Sequence, residues 1–351
     1  MTASLLIYGA TGYTGQLIVQ HAVAEGLQQI VAGRNAGKVG ALAGELGLEG
    51  RVFALDDAAA IARNLAGISC LLNVAGPFSR TAQPLIDGCL ESGTHYLDVT
   101  GEIDVFELAA RRDAAAREAG IMLLPGVGFD VVPSDCLAAI VAGELVDPVA
   151  LAIGILGLGG ASQGTLKTAV DSAGAPTRVR REGKIVSRPP GSVTRTFDFG
   201  RGARETVAVS WGDVATAYYS TGVPNITVYF PARRAGATLR IARWLGPLLQ
   251  MRPVQAVLKR AVEMRPAGPD DETLETAISI LVAVATGRDG RKARARLETP
   301  NGYKLTYQAA VDIARRVLGG EWQAGFRTPS LAYGPRYVLG LPGCRLEMGE
   351  G

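Results

Sequence analysis

The chain has 351 residues, 48% hydrophobic and 20% charged, with a formal net charge of +3. That length is enough for one large or two medium cores, and the balance excludes intrinsic disorder and gives no ground for a nucleic-acid partner. No window approaches the roughly twenty apolar residues of a membrane span. The opening MTASLL lacks the pattern of a secretory signal, so no presequence and a cytoplasmic location are expected.

From Ser4 to about residue 143, apolar runs of strand length alternate with helical stretches. LLIYGA precedes QLIVQHAVAEG, IVAGR precedes KVGALAGELG, and VFALD precedes AAAIARNLA. CLLNVAG is followed by QPLIDGCLESG, HYLDVTG by VFELAARRDAAAREAG, and IMLLPGVG by SDCLAAIVAGEL. Such rotation requires right-handed crossovers between parallel strands, so residues 1–145 are predicted to form a doubly wound α/β, Rossmann-type domain. After Asp147 the rhythm changes to strand pairs: VALAIGILG, the hairpin-like VRREGKIVS, RETVAVSW and PNITVYF. A second, mainly antiparallel α+β domain is expected over 146–305. Residues 189–203, PPGSVTRTFDFGRGA, read as an irregular loop, and ATLRIARWLGPLLQ reads as a helix. ISILVAVATG is expected to pair through RDGR with KARARLETP, and Asn301-Gly302 to turn into YKLTYQ. A last helix, Gln308 to Leu318, is predicted to end at Gly319-Gly320.

In YGATGYTGQ, Gly9, Gly12 and Gly15 follow a strand and open a helix. This order lets helix-start amides face a pyrophosphate, with glycine permitting the tight turn and the close approach. Gly9, Ala10, Thr11, Gly12, Tyr13, Thr14 and Gly15 are therefore predicted to hold a dinucleotide, although the spacing is GxxGxxG and not GxGxxG. The end of the second strand selects the cofactor. A free ribose hydroxyl is usually held by an acid about 20 residues past the glycines, whereas a 2′-phosphate calls for Arg. Here Arg34 and Asn35 stand at that point, with Lys38 in the following helix and no carboxylate before Glu45. NADP is preferred over NAD. Asp56 should lie near the adenine, and Asn73, Ala75, Gly76 and Pro77 should form the turn that admits the nicotinamide riboside.

Several chemistries are excluded. None of the ten tyrosines has a lysine four residues later, as short-chain dehydrogenases need. Only two histidines exist, His21 mid-helix and His95 at the start of a strand, and the four cysteines show no CxxC spacing, so no metal site is expected. The polar residues at the expected edge are Asp98, Thr100, Glu102, Asp130, Ser134 and Asp135. Glu102 reads both as a proton donor or substrate contact and as a cap of the helix after it; DVVPSD likewise reads as a helix start.

GATGYTG, AGR, NVAGPF, GTHYLDVTGE and GFDVVPSD, in this order, resemble the saccharopine dehydrogenase-like oxidoreductases, including the trans-acting enoyl reductases of lipid biosynthesis. WGDVATAYYSTGVPN and GFRTPSLAYG extend the likeness to most of the chain. The resemblance implies an amino-terminal dinucleotide domain, an antiparallel substrate domain, and a carboxy-terminal segment, 306–351, that returns to the first domain. Saccharopine reductases carry Asp-Pro-Gly and a nearby His where this chain has Asp130-Val131-Val132-Pro133-Ser134-Asp135, which argues against saccharopine as substrate. The Ser-Gly-Gly-Thr loop of enoyl-reductase-like relatives is here Ser162-Gln163-Gly164-Thr165. Ser162, Thr165 and Lys167 are read either as facing the nicotinamide or as part of a solvated loop.

Between Arg233 and Arg265 eight basic residues stand against one acid, Glu263, with Trp, Leu, Val and Met interleaved. This stretch is a lid, a dimer or packing surface, or a peripheral membrane contact. The combined reading is an NADP-dependent oxidoreductase that transfers hydride to a C=C or C=N bond of a small or acyl-type substrate in a cleft between its domains. Glu102, Tyr218 and Lys167 are the candidate proton sources. An imine or amino-acid dehydrogenase, or a non-catalytic NADP(H)-binding scaffold, is the alternative.

Overall fold

The computed structural model describes residues 4–157, 159–160, 162–172, 174–231 and 250–349. In chain order its first elements are β1 (Leu5–Tyr8), α1 (Tyr13–Ala24), β2 (Gln29–Gly33), α2 (Ala36–Leu46), β3 (Glu49–Val52), α3 (Ala58–Leu65), β4 (Cys70–Asn73) and α4 (Phe78–Ser92). There follow β5 (His95–Asp98), α5 (Ile103–Arg111), α6 (Asp113–Glu118), β6 (Met122–Leu124), α7 (Val132–Gly143), β7 (Pro148–Gly157), α8 (Gln163–Ser172), β8 (Thr177–Arg181) and β9 (Lys184–Arg188). The rest are β10 (Thr194–Asp198), β11 (Ala203–Val209), α9 (Asp213–Thr221), β12 (Asn225–Pro231), α10 (Arg252–Glu263), α11 (Asp271–Thr276), β13 (Ile278–Gly287), β14 (Lys292–Pro300), α12 (Gly302–Leu318), β15 (Gly325–Phe326), α13 (Pro329–Tyr333) and β16 (Arg345–Gly349).

The chain divides into two compact units, residues 1–132 with 303–334, and residues 133–302 with 335–351. The division falls at 132, before the expected 145, so most of α7 groups with the second unit. The late segment is shared: residues 303–334 complete the first unit, and 335–349 bring β16 to the second.

In the first unit the strands run in parallel in the order β15-β6-β5-β4-β1-β2-β3. Helices cover the sheet, so β1, β2, β4, β5 and β6 are buried along their whole length. That is why these strands read as continuous apolar runs and not as alternating patterns. The edge strand β3 spans EGRV and is largely exposed, earlier than the expected VFALD. The expected helix after β5 breaks at Arg112 into α5 and α6.

The second unit carries a mixed sheet, β10-β11-β12-β7-β13-β14-β16, with the β8–β9 hairpin attached to β12. Among the described pairs only β12 with β7 is parallel. β14 shows the period of two: Ala293, Ala295 and Leu297 are buried, while Lys292, Arg294 and Arg296 turn to the other face. The expected loop 189–203 contains a strand, β10, paired with β11. Phe197 anchors it by lying on Gly154, where a Cβ would come within 3.0 Å of the ring. Arg294 and Arg296 fasten the end of β10 through the Asp198 and Phe199 carbonyls, at 2.7 and 3.2 Å.

Asn301-Gly302 does not turn into a strand. Gly302 opens α12, which begins six residues before the expected Gln308, because Leu305, Thr306, Ala309, Ala310, Ile313, Ala314 and Val317 form one buried helical face. The helix expected over 237–250 lies outside the described residues but for its last position. No helix of the described residues is long and apolar enough to cross a membrane.

Candidate functional site

The structure separates the reasons for the three glycines of the β1–α1 turn. Gly9 has φ +89°, and a Cβ there would lie 2.7 Å from the Ala75 amide nitrogen. Gly15 is buried, and a Cβ would strike the Gly9 carbonyl and sit 2.9 Å from the Ala10 Cα. The packing of the domain demands both. It does not demand Gly12, which is exposed, has φ −81°, and would place a Cβ no nearer than 3.5 Å, to the Gly9 carbonyl oxygen. The bare Cα at Gly12 is thus left to the open side of the turn.

At that point α1 starts with no side-chain cap and no acid in its first turn, so its positive end faces outward. The Gly9 and Ala10 amides both donate to the Ala32 carbonyl at 2.9 and 3.3 Å, tying the turn to β2. The Tyr13 ring meets Tyr303 of α12 edge-on, 5.3 Å between centroids. The Gly12 amide donates to the Gly9 carbonyl at 3.1 Å, so the room the turn has for a diphosphate lies at the start of α1, beyond that bond.

Arg34 and Lys38 are exposed just past β2. Asn35 has a structural duty, since its side chain accepts from the Lys38 amide at 2.9 Å and caps α2. Arg34 and the exposed Asp56 stand near one strand end, where Tyr8 donates its hydroxyl hydrogen to the Phe53 carbonyl at 3.1 Å. Burial raises the Tyr8 hydroxyl above its usual range, Arg34 pulls it down and Asp56 pushes it up.

Asn73 is fully buried and its carboxamide is committed inward. It donates to Thr81 Oγ1 at 3.1 Å and to the Tyr96 hydroxyl at 3.2 Å, and accepts from the Ala75 amide at 3.0 Å. Its side chain shapes the turn; Ala75 is partly exposed, and Gly76 and Pro77 are exposed. Tyr96 donates in turn to Asp98 Oδ2 at 2.7 Å, and Asp98 Oδ1 accepts the Thr100 and Gly126 amides at 3.0 and 2.9 Å. Burial pushes the Asp98 carboxyl up to about 6 against these three hydrogen bonds.

Glu102 does not cap the helix after it. Its two oxygens accept the Phe78 and Ser79 amides, each at 2.8 Å, so it caps α4 from 23 and 24 residues away. Asp130 lies against Gly101, where a Cβ would come 2.9 Å from its Oδ2. Its carboxyl is pushed up to about 7, first by burial and then by the charge of Glu102. Phe129 beside it is pinned by its amide to Thr306 Oγ1 of α12 at 3.0 Å.

The other candidates belong to the second unit. Lys167 pairs with Glu263 of α10 at 2.9 Å, and Tyr218 lies under the Arg180 guanidinium, 4.1 Å from the ring centre. They are engaged with different neighbours. Ser162 to Thr165 form the start of α8, with Ser162 Oγ accepting the Thr165 amide at 3.3 Å. Of the basic stretch, Arg233, Arg234, Arg240 and Arg243 lie outside the described residues. Lys259 is paired with Asp171, and α10 packs on α8. His21 packs on Tyr307, 4.7 Å between rings. His95 packs on Trp322 at 4.2 Å and accepts the Met122 amide on Nδ1 at 3.0 Å.

Tyr96 was missed from sequence, and of the two expectations for Glu102 the cap of the following helix is not what its side chain makes. Tyr96 carries a readable signal, since in HYLD it is two residues before Asp98 and on the same strand face.

Parallel sheet, glycine cradle and strand-end arginine define a nucleotide-binding α/β protein of the Rossmann type. More particularly, residues 5–124 match the saccharopine dehydrogenase NADP binding domain, so this part of the chain is similar to a domain that binds NADP. A trans-acting enoyl reductase of Mycobacterium leprae is 34% identical over 142 residues, 37% of this chain and 33% of that protein. A saccharopine dehydrogenase-like oxidoreductase of Mus musculus is 28% identical over 153 residues, 37% of this chain and 35% of that protein. The matched part is thus about a third of either relative's length. The apo saccharopine dehydrogenase (L-Glu forming) of Saccharomyces cerevisiae shares the fold over 99% of this chain and 100% of its own, with a TM-score of 0.66 and 11% identity.

Proposed function

We propose that the chain is an NADP-dependent oxidoreductase that delivers hydride to a C=C or C=N bond of a small or lipid-like substrate. The observation that carries this reading is Gly12, a bare Cα at the open end of α1 that the domain's own packing does not require. Residues 9–15 would hold the diphosphate, Arg34 with Lys38 the 2′-phosphate, and the turn at 75–77 the nicotinamide side. NADPH supplies the hydride when bound; the chain's residues orient the partners and provide the proton.

Reduction consumes one proton. Asp130, held near neutrality by burial and by Glu102, carries one for part of its time at pH 7. Glu102 is then the fixed charge that keeps that proton in place, its own oxygens occupied by the Phe78 and Ser79 amides. Tyr218 and Lys167 are the further candidates from the second unit. The name of the mycobacterial relative supports C=C reduction. Following NADPH absorbance against a panel of enals, enoyl thioesters and imines tests the reading. Oxidation with enals or enoyl thioesters supports C=C reduction, oxidation only with a keto acid plus amine moves the assignment to an imine dehydrogenase, and tight NADPH binding without oxidation moves it to a scaffold.

A further inference from the structure

We infer that Asp98 is the positioning residue of the nicotinamide end of the site. One buried carboxylate ties three strand-end loops into a single hydrogen-bonded body. Oδ1 holds the β5 loop through the Thr100 amide and the β6 loop through the Gly126 amide. The Asp98 carbonyl accepts the Val127 amide at 2.7 Å, a second tie to the same loop. Oδ2 takes the Tyr96 hydroxyl hydrogen, which leaves the Tyr96 oxygen to accept from Asn73. Asn73 then fixes the β4 turn through the Ala75 amide, and Thr81 closes it by donating to the Ala75 carbonyl at 2.7 Å.

The direction of the Tyr96 bond follows from its two neighbours. Asn73 Nδ2 can only donate, so the Tyr96 hydroxyl must donate onward, and an acceptor-only group is needed at position 98. The loop also continues outward, because Thr100 Oγ1 accepts the Glu102 amide at 3.0 Å and Glu102 caps α4. Among the described hydrogen bonds none carries this body on to Arg34, which stands past β2. The network therefore acts first on the nicotinamide half of the proposed site.

This inference rests on the placement of the nicotinamide at the 75–77 turn proposed above, and its test uses two probes of different reach. NADPH spans the whole site; adenosine 2′,5′-bisphosphate reaches only the adenosine half. Asp98→Asn reverses the donor that faces Tyr96, and Tyr96→Phe, the milder change, removes only the hydroxyl. Both variants should raise the NADPH dissociation constant about tenfold, the effect of one buried hydrogen bond lost. The affinity for adenosine 2′,5′-bisphosphate should stay within about twofold. Were Asp98→Asn not to fold, Tyr96→Phe carries the test alone. Equal weakening of both probes would mark a merely structural role and overturn the inference, as would unchanged NADPH affinity in Tyr96→Phe. Wild-type protein that binds neither probe removes the cofactor reading and this inference with it.

Discussion

Gly9 and Ala75 meet backbone to backbone: the missing Cβ of one would lie 2.7 Å from the amide nitrogen of the other. The contact joins the turn after β1 to the turn after β4, the two loops that flank the site. Gly9→Ala should therefore lower stability by about 2 kcal/mol or more, from a positive φ and a clash with main chain. Gly12→Ala should leave the melting temperature within a degree or two while raising the NADPH dissociation constant at least about tenfold. Thermal melts with and without NADPH check the contrast. Equal melting temperatures for the two apo variants would contradict it.

Arg34 is exposed, and among the described ion pairs it has no carboxylate partner. Arg34→Ala should weaken NADPH binding about tenfold to a hundredfold, the range of a lost charge-assisted contact, with little change for NADH. Competition titrations of the two coenzymes measure this. A parallel loss for both would place the 2′-phosphate elsewhere.

Glu102→Ala leaves the Phe78 and Ser79 amides without their cap, so the variant should lose about 1–2 kcal/mol of stability. Glu102→Gln keeps one acceptor oxygen and should recover part of it. Denaturant unfolding separates them. If Glu102→Ala were as stable as wild type, the cap would not be the residue's task.

His95 offers a pH test. Burial lowers its pKa from 6.5 to about 4, so the folded state refuses a proton that the unfolded chain takes up. Its contribution is fully present above pH 6.5 and is lost as pH falls toward 4, about 3 kcal/mol in all. Asp98 and Asp130 act with the opposite sign, being raised, so that their contribution is present at low pH and lost as pH rises through about 6 and 7. His95→Gln, which retains an acceptor for the Met122 amide, lacks that loss, so its stability should rise relative to wild type as pH falls from 6.5 to 4.5. Identical slopes would show that His95 titrates normally.

Much of the first unit was legible because strands buried on both faces are written as unbroken apolar runs, and because glycine at a strand-to-helix turn has few other uses. The place of Arg34, exposed just past β2, was legible by its distance from those glycines. What escaped depended on partners far along the chain. TRTFD became β10 only because Phe197 finds Gly154 and because Arg294 and Arg296 reach its end. The start of α12 was hidden by Asn301-Gly302, whose turn preference gives way to a buried helical face. Glu102 read both as a proton donor or substrate contact and as a cap for the helix beside it, and its hydrogen-bond partners lie on α4. Asn73 ends β4 as expected, yet its side chain points into the network of Tyr96 and Thr81.

The claim beneath all of this is that the β1–α1 turn grips a diphosphate whose adenosine sugar bears a further phosphate. Isothermal titration of the full chain with NADPH and with NADH, repeated on Gly12→Ala, measures it directly. The account predicts heat with NADPH, binding at least about tenfold weaker with NADH, and loss of the NADPH signal in the variant. No heat with NADPH, or undiminished binding by Gly12→Ala, would contradict it.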